Sequence, residues 1–391
     1  MNSIENKSLS KSQITIMAIA AGVCVANIYY NQPVLKDIAR SLNTTEANVG
    51  LISVLAQAGY GFGLFFITPL GDKFNRKKLI LGLQGLLIIA LLGMVFLDSR
   101  IAIFAMSLII GICSVAAQVI LPMAASLEKN NRAKTISFIF SGILIGILAA
   151  RVFAGTIAEW FGWHYVYAIS AVMVLVTALM VHFSLPDVKQ EFTGNYISLL
   201  RSALQQIKRF SILRRSTLLG ALIFGAFCSF WTTLTFHLSG SPFNFGSDTI
   251  GLFGILAIAG ALLAPYFGKM VDGGNAAKSQ LYTTGMLLFS VILLNVFPHS
   301  VWAIIIAVLL LDVGVQATQL INIATIYTLD EKANSRINTI YMTSYFIGGA
   351  VGTYVGVQCW KFGGWDLVTW QLILWSALAF AVAFYSYKNK P

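Results

Sequence analysis

The sequence predicts an all-α polytopic membrane protein with twelve transmembrane helices in two pseudo-symmetric six-helix bundles. Three observations predict it. Of 391 residues, 57% are hydrophobic and only 10% are charged, against roughly 25% charged in an ordinary soluble domain. The apolar residues fall in twelve windows of membrane-spanning length. The second half of the chain repeats landmarks of the first at an offset near 200 residues. So little charge cannot cover a water-soluble fold of this size, and so much apolar sequence excludes a disordered chain.

A bilayer-crossing helix uses about 20 apolar residues. The first six windows fall at 13–36, 47–70, 79–97, 101–126, 135–159 and 163–184. The remaining six fall at 216–238, 248–267, 280–298, 301–328, 337–359 and 367–386. The run from Ile14 to Ala26 could imitate a secretory signal, with Cys24-Val25-Ala26 as a small-residue site. Eleven further spans follow, which favours an uncleaved first helix. The four cysteines, Cys24, Cys113, Cys228 and Cys359, lie in apolar runs without metal-type spacing. They read as small packing residues, so neither a disulfide framework nor a metal site is expected.

Twelve spans place both termini on one side, and the basic residues say which. With the termini and the even-to-odd loops assigned to the cytoplasm, 21 Lys and Arg face inward and four face outward. Arg151, inside the fifth span, is the remaining one. That asymmetry predicts a cytoplasmic (inner) membrane protein with both termini cytoplasmic. It also explains the net charge of +11 through anionic lipid headgroups, without nucleic acid.

The repeat is carried by four pairs in register. Asp72 answers to Asp272, Gln118 to Gln319, Thr135-Ile136 to Thr339-Ile340, and Gly162-Trp163 to Gly364-Trp365. The expected organisation is an N-terminal half over 1–184, a cytoplasmic linker over 185–215 and a C-terminal half over 216–391. Repeated halves suit a machine that rocks about a central site.

The loop after the second span reads Pro69-Leu70-Gly71-Asp72-Lys73-Phe74-Asn75-Arg76-Lys77-Lys78. It resembles the signature loop of the major facilitator superfamily, Gly-x-x-x-Asp-(Arg/Lys)-x-Gly-(Arg/Lys)-(Arg/Lys), with Thr68 and Asn75 in place of its two glycines. Gly268-Lys269-Met270-Val271-Asp272 is its counterpart in the second half. Within the superfamily the chain is similar to the bacterial proton-linked drug, sugar and nucleoside efflux branch. The runs Asn27-Ile28-Tyr29-Tyr30-Asn31-Gln32-Pro33 and Gly146-Ile147-Leu148-Ala149-Ala150-Arg151 look like a subgroup of it. The resemblance implies alternating access and export by proton antiport. Two positions depart from the branch. Ser107 stands where its fourth span has an Arg, and Arg151 stands where its fifth span has a Pro.

Arg151 is the one basic residue deep in a span, where a charge costs at least about 2.5 kcal/mol. It is either a substrate-anion or coupling contact, or a structural pair. Ser137 and Ser141 fall near its helical face. Asp312 is the one acid near mid-span and forms a stripe with Gln316 and Gln319 at i, i+4 and i+7. It is a candidate proton carrier; a permanent ion pair is the alternative. Asn27, Tyr30 and Asn31 in the first span, and Gln118 near Pro122 in the fourth, are candidates to line a solute path, or else hydrogen-bond between helices. Asn338, Tyr341 and Tyr345 share a face of the eleventh span. Gly348, Gly352 and Gly356 follow at four-residue spacing, as close helix packing requires.

Asp72, Lys73, Arg76, Lys77 and Asp272 are the expected gating-loop residues. Asp72 is placed to meet a neighbouring helix N-terminus, and its lysines to bridge to the other half. Ile197, Leu200, Leu204 and Ile207 give the linker an apolar stripe suited to the membrane face. No nucleotide-binding Gly-rich signature, His-Glu-x-x-His or paired intramembrane carboxylates occur, so neither an ATP-driven pump nor an enzyme is expected. The expectation is a monomeric secondary transporter in the bilayer, without cofactor or metal, whose partners are a small polar or amphipathic solute and protons. Proton-coupled uptake and uniport are alternatives; a channel or non-transporting receptor fits less well.

Overall fold

The computed structural model describes residues 9–128, 131–187, 195–256, 276–330 and 333–388. Every described element is an α-helix or a short turn between helices. With no water in the bilayer core, a helix is the structure that satisfies its own backbone. Among the described residues nine helices are long and apolar enough to cross a membrane, or ten if one bent pair is a single span.

That bent pair is α1 (Lys11–Ala26) and α2 (Asn31–Ser41), which meet at 41°. The sequence makes the bend. The Asn27 amide donates to the Val23 carbonyl at 2.8 Å and the Asn31 amide to Ile28 at 2.9 Å. Pro33 brings no N–H to the ladder. Side-chain competition and a missing donor together open the helix at residues 27–30.

Next come α3 (Glu46–Phe66), the short α4 (Leu70–Lys73) and α5 (Arg76–Phe96). The fourth crossing is split at Val115 into α6 (Arg100–Ser114) and α7 (Ala116–Leu127). Then follow α8 (Arg132–Phe161), α9 (Trp163–Ser184) and the linker helix α10 (Tyr196–Arg209). The remaining helices are α11 (Ser211–Ser239), α12 (Ser247–Leu256), α13 (Ala276–Val296), α14 (Val301–Tyr327) and α15 (Asn334–Lys388). At 55 residues, α15 would be about 80 Å long as one rod, far beyond a bilayer core of about 30 Å. It is instead two helices meeting at Gly363 and Gly364, whose backbones are not helical. Most of the predicted eighth span, with Gly268 and Asp272, lies outside the described residues.

The repeated landmarks recur in three dimensions. Gly162 and Gly364 are the described glycines with positive φ, +97° and +59°. Each turns the chain between two helices in a conformation that suits glycine. Each delivers a buried Trp, Trp163 or Trp365, stacked on a histidine: His164 at 3.7 Å and His237 at 4.1 Å. Helix pairing repeats too. Gly22 of α1 meets Gly142 and Gly146 of α8 backbone to backbone, and Gly225 of α11 meets Gly352 of α15 in the same way.

The linker forms a helix, as its spacing predicts. The α10 face buried against protein carries Ala203 and Gln206, while Ile197 and Leu204 stay exposed. Half of the apolar stripe is therefore exposed, while Leu200 and Ile207 are half-buried and Ile207 packs against the core. The Tyr196 hydroxyl donates to the Phe66 carbonyl, and Arg209 pairs with Asp330 at 2.6 Å.

Candidate solute and proton site

Arg151 sits where several helices converge. Its carbonyl packs against Gly251 of α12, where a Cβ would stand 2.7 Å from it, and its Cβ lies close to Gly254. Its guanidinium is 1% exposed. The Nε donates to Gln32 Oε1 of α2 at 2.8 Å. The guanidinium carbon lies 4.1 Å from the Trp231 ring centroid, 5.3 Å from Tyr29 and 5.7 Å from Phe227. Aromatic faces attract a cation and offset part of the cost of its burial. The two terminal nitrogens have no hydrogen-bond partner.

Asp312 of α14 faces this cation without touching it. It is fully buried, and neither carboxylate oxygen has a hydrogen-bond partner. Arg151 and Trp231 are the groups that act on it electrostatically, yet the Trp231 indole N–H does not reach it in hydrogen-bonding alignment. The Gln32 amide nitrogen beside the guanidinium is a further unpartnered buried group. Buried polar atoms are normally satisfied. Around this cation and acid the unpartnered ends of Arg151, Asp312 and Gln32 leave hydrogen-bonding capacity free.

Aromatic rings connect this centre to the other predicted positions. Trp231, Phe227 and Phe224 follow one another along α11, with centroids 6.3 and 5.6 Å apart. Phe224 stacks on Tyr345 at 3.9 Å and meets Phe346 at 5.0 Å, and Phe346 lies 4.3 Å from Tyr60. The row ends at two amides. Gln118 donates to the Tyr60 hydroxyl at 3.1 Å, and Gln319 accepts from the Tyr345 hydroxyl at 3.2 Å. The two glutamines of the sequence repeat thus each hold a tyrosine of this row.

The remaining predicted positions divide. Gln316 and Asn338 are half-buried. Tyr341 is buried and accepts from Asn322 at 3.2 Å, within a polar cluster that also holds Gln280. Asn27 and Asn31 are occupied elsewhere. Beyond their backbone bonds, Asn27 accepts from Ser170 at 2.7 Å and Asn31 accepts from Ser53. In this conformation they join the α1–α2 break to α9 and α3, the helix-to-helix hydrogen bonding that is the alternative to lining a path. Tyr30 packs on Phe153 at 5.4 Å. Ser137 and Ser141 are exposed, and the Ser141 hydroxyl returns to the Ser137 carbonyl. Among the described contacts neither meets Arg151, which is buried. Ser107 is also remote in contact. It is buried against Met94 of α5 and donates to its own helix at Ile103.

The Asp72 loop corrects an expectation. Asp72 pairs with Arg76 of the same loop at 2.9 Å, not with a helix N-terminus. Arg76 also donates to the Gly71 and Pro122 carbonyls, at 2.9 and 2.8 Å, and so clamps the loop to α7. Lys77 reaches the Leu185 carbonyl at 2.7 Å, at the start of the linker, and Lys73 lies over Phe74. Asp72 and Arg76 line a pocket together with Ser335, Arg336 and Thr339 of the second half.

A polar latch at the opposite end had no signal in the sequence beyond scattered charges. Glu159 of α8 accepts the Ser247 N–H at 3.0 Å, and Asp37 of α2 accepts from the Ser247 hydroxyl. Lys36 donates to the Ser239 carbonyl. Gln32, Gln57, Phe227 and Trp231 were also not singled out as site residues. Gln32 sits beside Asn31 in a polar run, and Phe227 and Trp231 stand at i, i+4 in a span that reads as apolar throughout.

This architecture has known counterparts. A family model of the Major Facilitator Superfamily matches residues 17–353. The chain belongs to that superfamily. It is 39% identical over 364 residues to the uncharacterized transporter YgaY of Escherichia coli O157:H7, covering 92% of each chain. It is 25% identical to the inner membrane transport protein YnfM of Escherichia coli K12, covering 90% of this chain and 85% of that one. In fold it is similar to a bacterial homolog of the human lysosomal transporter Spinster, solved inward-facing and unoccupied. The TM-score is 0.77 at 11% identity, over 96% of each chain. This superfamily member is a multi-pass membrane protein and a transporter of the major facilitator type.

Proposed function

We propose that the protein is a secondary active transporter that moves a small polar or amphipathic solute across the bacterial inner membrane by alternating access, coupled to protons and running as export. The observation that carries the reading is one buried cation and one buried acid, Arg151 and Asp312, facing each other with four terminal atoms unpartnered. Arginine keeps its charge at any working pH. A carboxyl can take up and release one proton, so the site alternates between two net charges. The twelve-span, two-half organisation over 1–184 and 216–391 has the support of the matched glycine turns and helix pairings. Cytoplasmic termini have the support of the basic-residue asymmetry. The inner membrane is the location printed for the relative YnfM, and export rests on the resemblance to the efflux branch.

Proton-coupled uptake is the second reading, and the charge count favours it. When Asp312 is protonated, Arg151 is the unbalanced charge, so an anion and a proton would bind together and travel together. Proteoliposomes with an imposed proton gradient test both readings. The wild type should concentrate its solute against a gradient, and the sign of the driving gradient gives the direction. Asp312→Asn should lose accumulation while keeping solute exchange, because the amide keeps shape and hydrogen bonding but carries no titrating proton. If Asp312→Asn still accumulates solute on a proton gradient, Asp312 is not the coupling group.

A further inference from the structure

Resting on the reading in which solute and proton bind together at Arg151 and Asp312, we propose that the solute is an organic monocarboxylate with an apolar or aromatic body. The carboxylate would sit on the terminal nitrogens of Arg151, and the body would lie along the Trp231–Phe227–Phe224 row.

The donor chemistry gives the head group. A guanidinium presents its donors in a planar fork that matches a carboxylate bidentately. In Arg151 the Nε is already committed to Gln32, at 2.8 Å. That bond fixes the plane and leaves the two terminal nitrogens as the unpartnered pair. The Gln32 amide nitrogen beside them is a third unpartnered donor. A cationic head group would meet Arg151 with like charge, and a neutral one would leave its charge unbalanced whenever Asp312 is protonated.

The charge number gives the valence. Arg151 is the one cation in contact with the site's described aromatic walls, and Asp312 faces it with opposite sign. One anionic charge can replace that of Asp312 in the field of Arg151. A phosphate monoester or dicarboxylate would bring a second negative charge with no second cation to receive it.

The walls give the body. Tyr29, Phe227 and Trp231 ring the guanidinium within 5.7 Å. Phe224, Tyr345 and Phe346 continue the surface away from it. Apolar and π surfaces of this extent favour a body that can stack, while the tyrosine hydroxyls along the row are already bonded to Gln118 and Gln319. A sugar, with hydroxyls on every side, would leave most of them unpaired here.

The test is equilibrium binding to purified full-length protein in detergent, without any gradient. Thermal midpoint and tryptophan fluorescence are followed with acetate, hexanoate, benzoate and indole-3-acetate, and with benzamide and benzylammonium as neutral and cationic matches of benzoate. Saturable binding of the larger carboxylates is expected, with acetate weakest and with benzamide and benzylammonium at least about tenfold weaker than benzoate. Arg151→Gln should weaken benzoate roughly a hundredfold, as expected when one partner of a buried charged pair is removed. Arg151→Lys should recover part of the affinity, and Trp231→Leu should weaken indole-3-acetate more than hexanoate. If benzamide or benzylammonium binds as tightly as benzoate, if no carboxylate binds saturably, or if a folded Arg151→Gln protein binds benzoate unchanged, the proposal is overturned. Carboxylate binding with no proton-driven flux would instead refute the transport reading and leave the ligand class standing.

Discussion

Arg151 has one hydrogen bond for three donor-bearing nitrogens, and the charge is held by rings as much as by polar atoms. Lysine would keep the charge and lose the fork. Arg151→Lys is therefore expected to retain a reduced transport rate, and Arg151→Ala to abolish it. Membrane insertion of Arg151→Ala should be unimpaired, because removing a buried charge eases insertion. Flux in proteoliposomes together with the yield of membrane-integrated protein checks this, and normal flux through Arg151→Ala would reduce Arg151 to a packing residue. The departure from the efflux branch also looks different in three dimensions. Ser107, where that branch has its Arg, faces Met94 and not Arg151. The two positions do not share one site, so moving the charge to residue 107 is not expected to restore function.

Among elements, the contact of α11 with α15 depends on absent side chains. A methyl group at Gly348 or Gly352 would run into the backbone at Ala221 or Gly225, and one at Gly356 into Ser229. Gly352→Leu is expected to cost at least about 1–3 kcal/mol as overpacking. It should lower the thermal midpoint more than Gly82→Leu, since nothing stands within 4 Å of a Cβ at Gly82. Equal midpoints would mean the α11–α15 contact can open without penalty. The loop between α3 and α5 depends on one side chain instead. Arg76 joins Asp72, Gly71 and Pro122 through separate nitrogens. Hydrogen bonds from a charged group are worth about 1.5–3 kcal/mol each, and an ammonium cannot span three directions from one planar group. Arg76→Lys should therefore behave more like Arg76→Ala than like wild type, in both thermal midpoint and flux.

Across the whole molecule, carboxylates of α2 and α8 gather on the start of α12 at the end that carries Ser247 and join these helices there. Negative charge at a helix N-terminus is favourable, and a lost cap costs about 0.5–2 kcal/mol. Asp37→Ala with Glu159→Ala should shift the protein toward conformations open at this end. Cys228, fully buried on α11 next to Phe227, reports on such opening. With the other three cysteines replaced by Ser, its labelling by a membrane-impermeant maleimide should rise several-fold in the double variant. An unchanged labelling rate would show that packing, not these carboxylates, sets access at this end.

The sequence by itself determined the class of molecule, the positions of most of the described helices and two charged residues, Arg151 and Asp312, that the fold buries. Each of these follows from local composition, because a bilayer demands about 20 apolar residues per crossing and penalises every exception. Arg151 and Asp312 were legible for that reason, as were the glycine turns at 162 and 364, where a backbone requirement leaves its mark on one residue. What surrounds those charges was decided only by tertiary structure. Asn27 and Asn31 were polar enough to line a path, yet their hydrogen-bond partners on α9 and α3 lie 143 and 22 residues away in the chain. Phe227 and Trp231 look like ordinary apolar span residues until α8 brings a guanidinium against them. Asp72 could have met several donors, and the fold of its loop chose Arg76. Long-range pairing of side chains leaves no periodic trace in a sequence, because each partner satisfies its own helix pattern independently.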